Sequence, residues 1–414
     1  MIADLLLWSG VAIILMAGTY NTGLFLLSRR RVPRDRGPRQ ERLYVFLLAC
    51  LNEERVLGES LTRIIALPAG NFLALVIDDA SDDRTADIAR AAGPDRVRLL
   101  RRELPDARLG KGAALNDGVR FLNESGLLAG HDPDNVILCV VDADGRLDAH
   151  VVQSVDPFFD DPRTGATQIC VRMYNRRQGL LARLQDMEFV VYGDVFQSAR
   201  RFIGSVGMGG NGQFMRLSAL NSLGGEGPWS HSLTEDLDLG VRLIANGWNT
   251  QHCTTASVSQ QAVLDLGHLI RQRSRWFQGH LQSAGLVPLI LRDVPTRAAL
   301  DLLYHLSSPV LILLTSLLPA SFLVAMVSTA VASAEAGRAL VSPMWLLGPY
   351  LLSFIAAYAY GLVYFKRERD LGLVRSVLIA HVFVLYGYIW FAAGWWGLWR
   401  MATGQRTWLK TART

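Results

Sequence analysis

The sequence predicts an α/β domain joined to an α-helical transmembrane region, and three observations predict it. Half of the 414 residues are hydrophobic and only 19% are charged, against about 25% in ordinary soluble domains, so part of the chain must face lipid. Long apolar runs open and close the chain. Between them, short apolar runs alternate with polar, amphipathic stretches, the pattern of strands and helices packed in layers. The same figures exclude a disordered chain. Cys50, Cys139, Cys170 and Cys253 stand far apart with no Cys-x-x-Cys pair. That spacing excludes a zinc ribbon and a secreted disulfide framework and places the water-soluble part in a reducing compartment. The formal charge of +5 rests on arginine, because Lys111, Lys366 and Lys410 are the only lysines among 42 basic residues. An arginine- and alanine-rich chain of this kind points to a bacterium with a GC-rich genome.

Taken in order, residues 5–27 carry no charge and are long enough to cross about 30 Å of hydrocarbon as a helix. Asp4 precedes the run and Arg29, Arg30, Arg31 and Arg34 follow it, the reverse of a cleaved signal peptide. The positive-inside rule then puts the N-terminus outside and everything after residue 28 in the cytoplasm, beginning with a basic linker at 29–42. Residues 43–262 read as the α/β domain. Runs at 44–52, 72–80 and 135–145 read as buried parallel strands ending in acids or amides. Open α/β sheets bind ligands at the carboxyl ends of their strands, so Asn52, Asp78, Asp79, Asp142 and Asp144 are expected to gather there. Residues 263–298 mix bulky apolar side chains with arginines at helical spacing and read as helices lying in the membrane interface.

Three further spans are expected within 299–400, at 302–332, 344–365 and about 374–399, with a basic tail at 401–414. Four full crossings would put that tail outside, against the positive-inside rule, so one segment is expected not to cross. The stretch before Ala393-Gly394, which could bend into a half-span, and the proline-bearing 302–332 (Pro309, Pro319) are the alternatives. A transporter would need intramembrane ionisable residues; His305 and His381 are read instead as packed between helices.

Several short motifs can carry chemistry. Asp142-Ala-Asp144 offers two carboxylates that suit a hard cation, although Asp-Ala-Asp-Gly is also a common turn. Asp78-Asp79-Ala-Ser81 can accept hydrogen bonds from a base or ribose, or form a strand-to-helix turn capped by Ser81 or Asp82. Lys111, between Gly110 and Gly112 at a helix start, suits a diphosphate, though the Walker spacing is absent. Glu235 and Asp236 follow Thr234 at a helix entrance, where acids are favoured by the macrodipole and where one of them can act as general base. Gln272, Arg275 and Trp276 share a helix face through i, i+3 and i+4 spacing. The glycines between Gly207 and Gly212, preceding Gln213, allow a backbone to approach a ligand closely.

In order and spacing, this set resembles the membrane-embedded family 2 glycosyltransferases, the group of cellulose, chitin, hyaluronan and poly-N-acetylglucosamine synthases. The resemblance runs from Ala49-Cys-Leu-Asn-Glu-Glu54 to the interface helix. It implies a GT-A fold with a Rossmann-like mixed sheet and a nucleotide-sugar donor, usually UDP-linked. It implies donor contacts from Asn52, Glu53, Asp78, Asp79, Lys111, Asn116, Asp142, Gln272 and Arg275. Asp142 and Asp144 resemble the Asp-x-Asp that holds Mg²⁺ or Mn²⁺. Gly210, Asn211, Gln213 and Arg216 correspond to the loop beside donor sugar and acceptor, Asp236 with Glu235 to the catalytic acids, and Trp276 to the acceptor-stacking residue of the Gln-x-x-Arg-Trp signature of processive members.

The sequence departs from the family in having one N-terminal span, Ala80 where glycine is usual, and few C-terminal spans. The resemblance therefore implies an inverting transferase at the inner membrane, either extending a polysaccharide or adding one sugar to a lipid-linked or oligosaccharide acceptor. A non-catalytic nucleotide-binding scaffold is the alternative of another class. Membrane lipid and an accessory export or assembly protein are the implied partners; no nucleic acid is expected.

Overall fold

Strand β1 (Leu43–Cys50) is buried on both faces, which is why it carries no polar alternation in the sequence. Tyr44, Phe46, Leu48 and Cys50 enter one core, and Leu43, Val45 and Leu47 enter the other. The computed structural model describes residues 2–30, 41–93, 95–225, 227–335 and 344–405. The basic residues of 31–40 and 406–414, and Arg338, lie outside the described residues.

Beside β1 lie β2 (Phe72–Asp78), β3 (Val97–Arg101), β4 (Val136–Val140), β5 (Arg146–Leu147), β6 (Thr164–Met173), β7 (Gln213–Arg216) and β8 (Asn249–Gln260). They form one sheet in the order β3-β2-β1-β4-β7-β6-β8-β5. The first four strands in that order are parallel, and β7 runs antiparallel to both β4 and β6. Helices Leu57–Ile65, Thr85–Ala91 and Val151–Val155 cover one face. Helices Lys111–Glu124, Leu217–Asn221 and Glu235–Ala245 cover the other. Cys50 pairs with Asp78 and Leu47 with Val140, so the loops after β1, β2 and β4 emerge along one edge.

The strand-end loops differ in detail from the sequence reading. Helix Thr85–Ala91 starts later than Ser81, and neither Ser81 nor Asp82 caps it. The Ser81 hydroxyl instead accepts the Asn52 N–H at 2.9 Å, and Asn52 Oδ1 accepts the Asp82 N–H at 2.8 Å. These two bonds stitch one loop to the next.

Among the described residues, two stretches are long and apolar enough to cross a membrane, Thr296–Leu317 and Leu373–Ala402. The N-terminal helix Ile2–Ser28 is tied to the domain through Tyr20, which donates to Asp301 Oδ1 at 2.6 Å, while Asp301 pairs with Arg200 at 3.0 Å. Helix Thr296–Glu335 passes through Pro309 and Pro319 without a break. The last apolar stretch does break, between helices Leu373–Tyr386 and Ile389–Ala402, at a turn formed by Gly387 and Tyr388. The break lies before Ala393-Gly394, in the stretch expected to bend, and Gly394 itself serves a close approach. A Cβ there would come within 3.0 Å of the Phe277 ring, and one at Gly397 within 2.8 Å of the Ser274 carbonyl, so both glycines let this helix lie against Leu266–Gln282.

Arg216 belongs to the scaffold, not to a ligand loop. It is 2% exposed and donates to the carbonyls of Thr164 (3.0 Å), Phe159 (2.8 Å), Asp161 (3.2 Å) and Asp134. Removing it would withdraw one charged donor from four carbonyls at once, of which that of Asp161 keeps the Thr164 N–H at 3.0 Å. Arg216→Ala is expected to cost on the order of 3 kcal/mol. The check is a thermal melt of the detergent-solubilised protein; an unchanged midpoint would contradict the pinning role.

Candidate functional site

The shared edge of the sheet opens on a cavity of ≈ 1010 Å³ that continues from the strand-end loops to the apolar helices. Helix Lys111–Glu124 begins at the cavity wall and delivers Lys111 to it. The Lys111 ammonium donates to Asp142 Oδ1 at 2.5 Å and to the Gly210 carbonyl at 2.5 Å. Asp142 sits at the tight turn after β4, closed by the Gly145 N–H donating to the Asp142 carbonyl at 2.7 Å. Asn211 Oδ1 accepts the Asp142 N–H at 3.2 Å, and Asp144 Oδ2 accepts the Gln261 N–H at 3.2 Å.

The glycine loop is fixed on both sides. Gly212, at φ +73°, donates its N–H to the Val140 carbonyl at 2.9 Å, and a Cβ there would meet Ile169 at 2.7 Å. Only glycine fits that combination of left-handed backbone and packed surroundings. Gly210 leaves a gap instead, since a Cβ on it would lie 3.4 Å from Asp236 Oδ2 and 3.5 Å from Lys111 Nζ. The general base candidate and the lysine therefore flank the same residue.

Helix Glu235–Ala245 presents its first two acids to the cavity. Thr234 occupies the N-cap position, but its hydroxyl meets the Ser283 hydroxyl at 3.2 Å instead of capping the helix. Asp236 Oδ1 accepts the Leu237 N–H at 2.8 Å. On the opposite wall, helix Leu266–Gln282 contributes Gln272, Arg275 and Trp276 from one face, with Phe189 edge-on to Trp276 at 6.2 Å.

Electrostatics follow from this enclosure. Burial would lower Lys111, but Asp142, then Glu235 and Asp236, outweigh it and hold the ammonium above its ordinary value. Burial, together with neighbouring Asp236, pushes Glu235 up to about 7, against the pull of Lys111. Burial also raises Asp236, opposed by the hydrogen bond from Leu237 and by Lys111. Burial lowers Arg275, with Glu235 opposing it.

Of the residues singled out in the sequence, the cavity brings together Glu53, Asp79, Lys111, Asp142, Asp144, Gly210, Asn211, Glu235, Asp236, Gln272, Arg275 and Trp276. Four others do not line it. Asn52 is engaged between the strand-end loops, as above. Asp78 is fully buried, accepting the Ser81 N–H at 3.1 Å and pairing with Arg101 at 3.6 Å. Asn116 clasps the Trp229 backbone, donating to its carbonyl at 2.7 Å and accepting its N–H at 2.9 Å, which anchors the loop that leads to Glu235. Gln213 is 1% exposed within β7. Asp79 lines the wall while its carboxylate pairs with Arg102 and accepts the Arg108 N–H at 2.9 Å.

The sequence reading missed Glu188, Phe189, His280, Trp390 and Phe391, all on the wall. Glu188 gave no distinct signal, because its helix also carries Arg183, Gln185 and Asp186. His305, read as packed between helices or near the interface, meets the His280 ring at 4.7 Å with the planes tilted by 58°, and it also faces the cavity.

Asp142 and Asp144 fit a hard divalent cation by donor chemistry: both are carboxylates on the same turn and both face the cavity. Among the described residues no group of three His, Cys, Asp or Glu side chains could hold a metal, so further ligands would have to come from water or substrate. That is the habit of magnesium-type sites.

The model of the family described as "Glycosyltransferase like family 2" matches residues 40–279. Over 243 residues the chain is 32% identical to the β-monoglucosyldiacylglycerol synthase of Trichormus variabilis, covering 57% of this chain and 48% of that protein. Over 237 residues it is 27% identical to the poly-β-1,6-N-acetyl-D-glucosamine synthase of Staphylococcus aureus, covering 56% and 53%. The chain thus spans about half the length of the curated relatives it matches. Among solved structures, a mannosyltransferase from Pyrobaculum calidifontis in complex with GDP-Man and Mn²⁺ has a TM-score of 0.58 at 19% identity, covering 93% of this chain and 98% of that one. The likeness is one of fold, and the mixed eight-stranded sheet is a GT-A fold.

The raised Glu235 makes stability depend on pH. Its carboxyl has an ordinary value of 4.5 and is pushed to about 7 in the folded protein, so the unfolded chain releases this proton first. Its contribution to stability is complete below about pH 4.5 and is lost as pH rises through about 7. Melting midpoints of Glu235→Gln and wild type are expected to diverge by a few degrees in the variant's favour across that window. A gap independent of pH would contradict the assignment.

Proposed function

The chain belongs to glycosyltransferase-like family 2, and on that premise we propose that it transfers a hexosyl group from a nucleotide sugar, UDP-linked, to the hydroxyl of a lipid acceptor at the inner face of the membrane. The carrying observation is the continuity of one cavity from Lys111, Asp142 and Asp236 to His305, Ile312 and Phe391. His305 and Ile312 lie on Thr296–Leu317 and Phe391 on Leu373–Ala402, the two stretches apolar enough to cross a membrane. A hydroxyl held beside Asp236 could thus belong to a molecule whose apolar part remains among the helices. The lipid product named for the Trichormus relative supports the same acceptor class.

In this reading the reaction is one in-line displacement. Asp236 takes the proton of the acceptor hydroxyl as its oxygen attacks the anomeric carbon. The bond from that carbon to the diphosphate breaks, the diphosphate leaves with the electron pair, and an α-linked donor gives a β-glycoside. Lys111 and Arg275 neutralise the charge that develops on the leaving diphosphate, which is electrostatic stabilisation from groups already in place. Burial raises both Glu235 and Asp236, so the acidic pair carries less than its full charge at the lower end of the neutral range. A Mg²⁺ or Mn²⁺ on Asp142 and Asp144 would add positive charge at the diphosphate.

Polysaccharide extension is the second reading, favoured by Gln272, Arg275 and Trp276 on the cavity wall and by the Staphylococcus relative. Membranes supplied with radiolabelled UDP-sugars separate the two, because label in an organic-soluble glycolipid supports the first and label in high-mass polymer the second. Within either reading, Asp236→Asn is expected to lower transfer by about 10²–10⁴-fold while UDP affinity by calorimetry is retained. Retained transfer would remove Asp236 from the role of base.

A further inference from the structure

Behind the apolar wall lies a buried cation that does not itself face the cavity. Arg273 is 1% exposed, and its Nη2 donates to Glu188 Oε2 at 2.6 Å. Its guanidinium carbon stands 4.1 Å from the Trp276 ring centroid, 5.4 Å from that of Trp390 and 5.7 Å from that of Phe189. Among the described residues Nε and Nη1 have no hydrogen-bond partner, Tyr386 being the other polar group near the cation, so much of the guanidinium surface meets these rings. Glu188 also accepts from Tyr386 at 2.7 Å and from Trp390 Nε1 at 2.9 Å. Tyr386 and Trp390 lie on either side of the Gly387-Tyr388 turn, so one carboxylate spans the break in the last apolar stretch. Glu188, Phe189, Trp276, Gly387 and Trp390 all line the cavity, and Arg273 does not.

We propose that Arg273 is a positioning residue for the acceptor: fixed by Glu188, it sets the orientation of Trp276, Trp390 and Phe189, three rings from three separate helices that form the acceptor side of the cavity. The inference rests on the reading that this wall receives the acceptor. A desolvated cation held over aromatic rings is attracted to their faces and so favours one ring arrangement over another. A pair that served only to join helix to domain would have no reason to collect its ring partners from the wall of one site.

The test uses the full chain in lipid nanodiscs with 5-fluorotryptophan incorporated, the Trp276 and Trp390 ¹⁹F lines being assigned through Trp276→Phe and Trp390→Phe. In Arg273→Gln and Glu188→Gln both lines are expected to shift, with UDP affinity held within about twofold, because the donor side is untouched. Arg273→Lys, which keeps charge but not the planar group, is expected to give smaller shifts and keeps the test open should Arg273→Gln not fold. With diacylglycerol in the nanodisc as acceptor probe, the half-saturating amount is expected to rise about tenfold in Arg273→Gln. Unmoved lines in the folded variants would overturn the proposal, as would a parallel loss of UDP affinity, which marks a general structural role. The lines need no turnover. Shifted lines without any transfer to diacylglycerol would therefore sustain the positioning of the rings and count against diacylglycerol as acceptor.

Discussion

Lys111 compensates three carboxylates that the fold brings to one enclosed space. Its ammonium touches Asp142 directly and is stabilised by Glu235 and Asp236 against the cost of burial. Without that charge the acids would face one another in a poorly solvated cavity, where like charges repel strongly and neutralise by taking up protons. The compensation depends on four segments distant in sequence: the start of helix Lys111–Glu124, the turn after β4, the glycine loop whose Gly210 carbonyl accepts the ammonium's second hydrogen bond, and the start of helix Glu235–Ala245. Gly210 matters by what it lacks, since a side chain there would fill the space between Lys111 and Asp236. A substrate diphosphate would meet the same lysine, so the group that balances these acids is also suited to the leaving group.

The parts of this arrangement that were legible in the sequence are those fixed by local periodicity. β1, β2 and β4 are apolar throughout because both faces of the parallel half are covered, and parallel strands place their carboxyl-end residues along one edge. Gln272, Arg275 and Trp276 reach one wall because helical spacing puts them on one face. Asn52, Asp78, Asn116 and Arg216 read the same way in sequence but are consumed by the scaffold. An amide or acid at a strand end satisfies loop N–H groups as readily as it binds a ligand, and only the fold decides which.

The Glu188–Arg273 pair was illegible for a different reason. Its partners lie on helices 85 residues apart, and the rings around it carry no periodicity distinguishable from ordinary core packing. A bend before Ala393-Gly394 was expected, but its place at Gly387-Tyr388 was not legible, because hydropathy reports length without locating a break. Nor does the sequence announce that Gly394 serves the close approach of two helices. In each case tertiary contact gave a residue a task that its neighbours in sequence do not announce.

The central claim is that donor and acceptor meet in one cavity, with the diphosphate held between Lys111 and Arg275 and the acceptor hydroxyl beside Asp236. An experimental structure of the full chain in nanodiscs with UDP and Mn²⁺ tests it most directly. The account predicts nucleotide density along the Lys111 wall, with the metal peak at Asp142 and Asp144. UDP bound elsewhere, or bound here with its diphosphate turned away from Lys111, would contradict it.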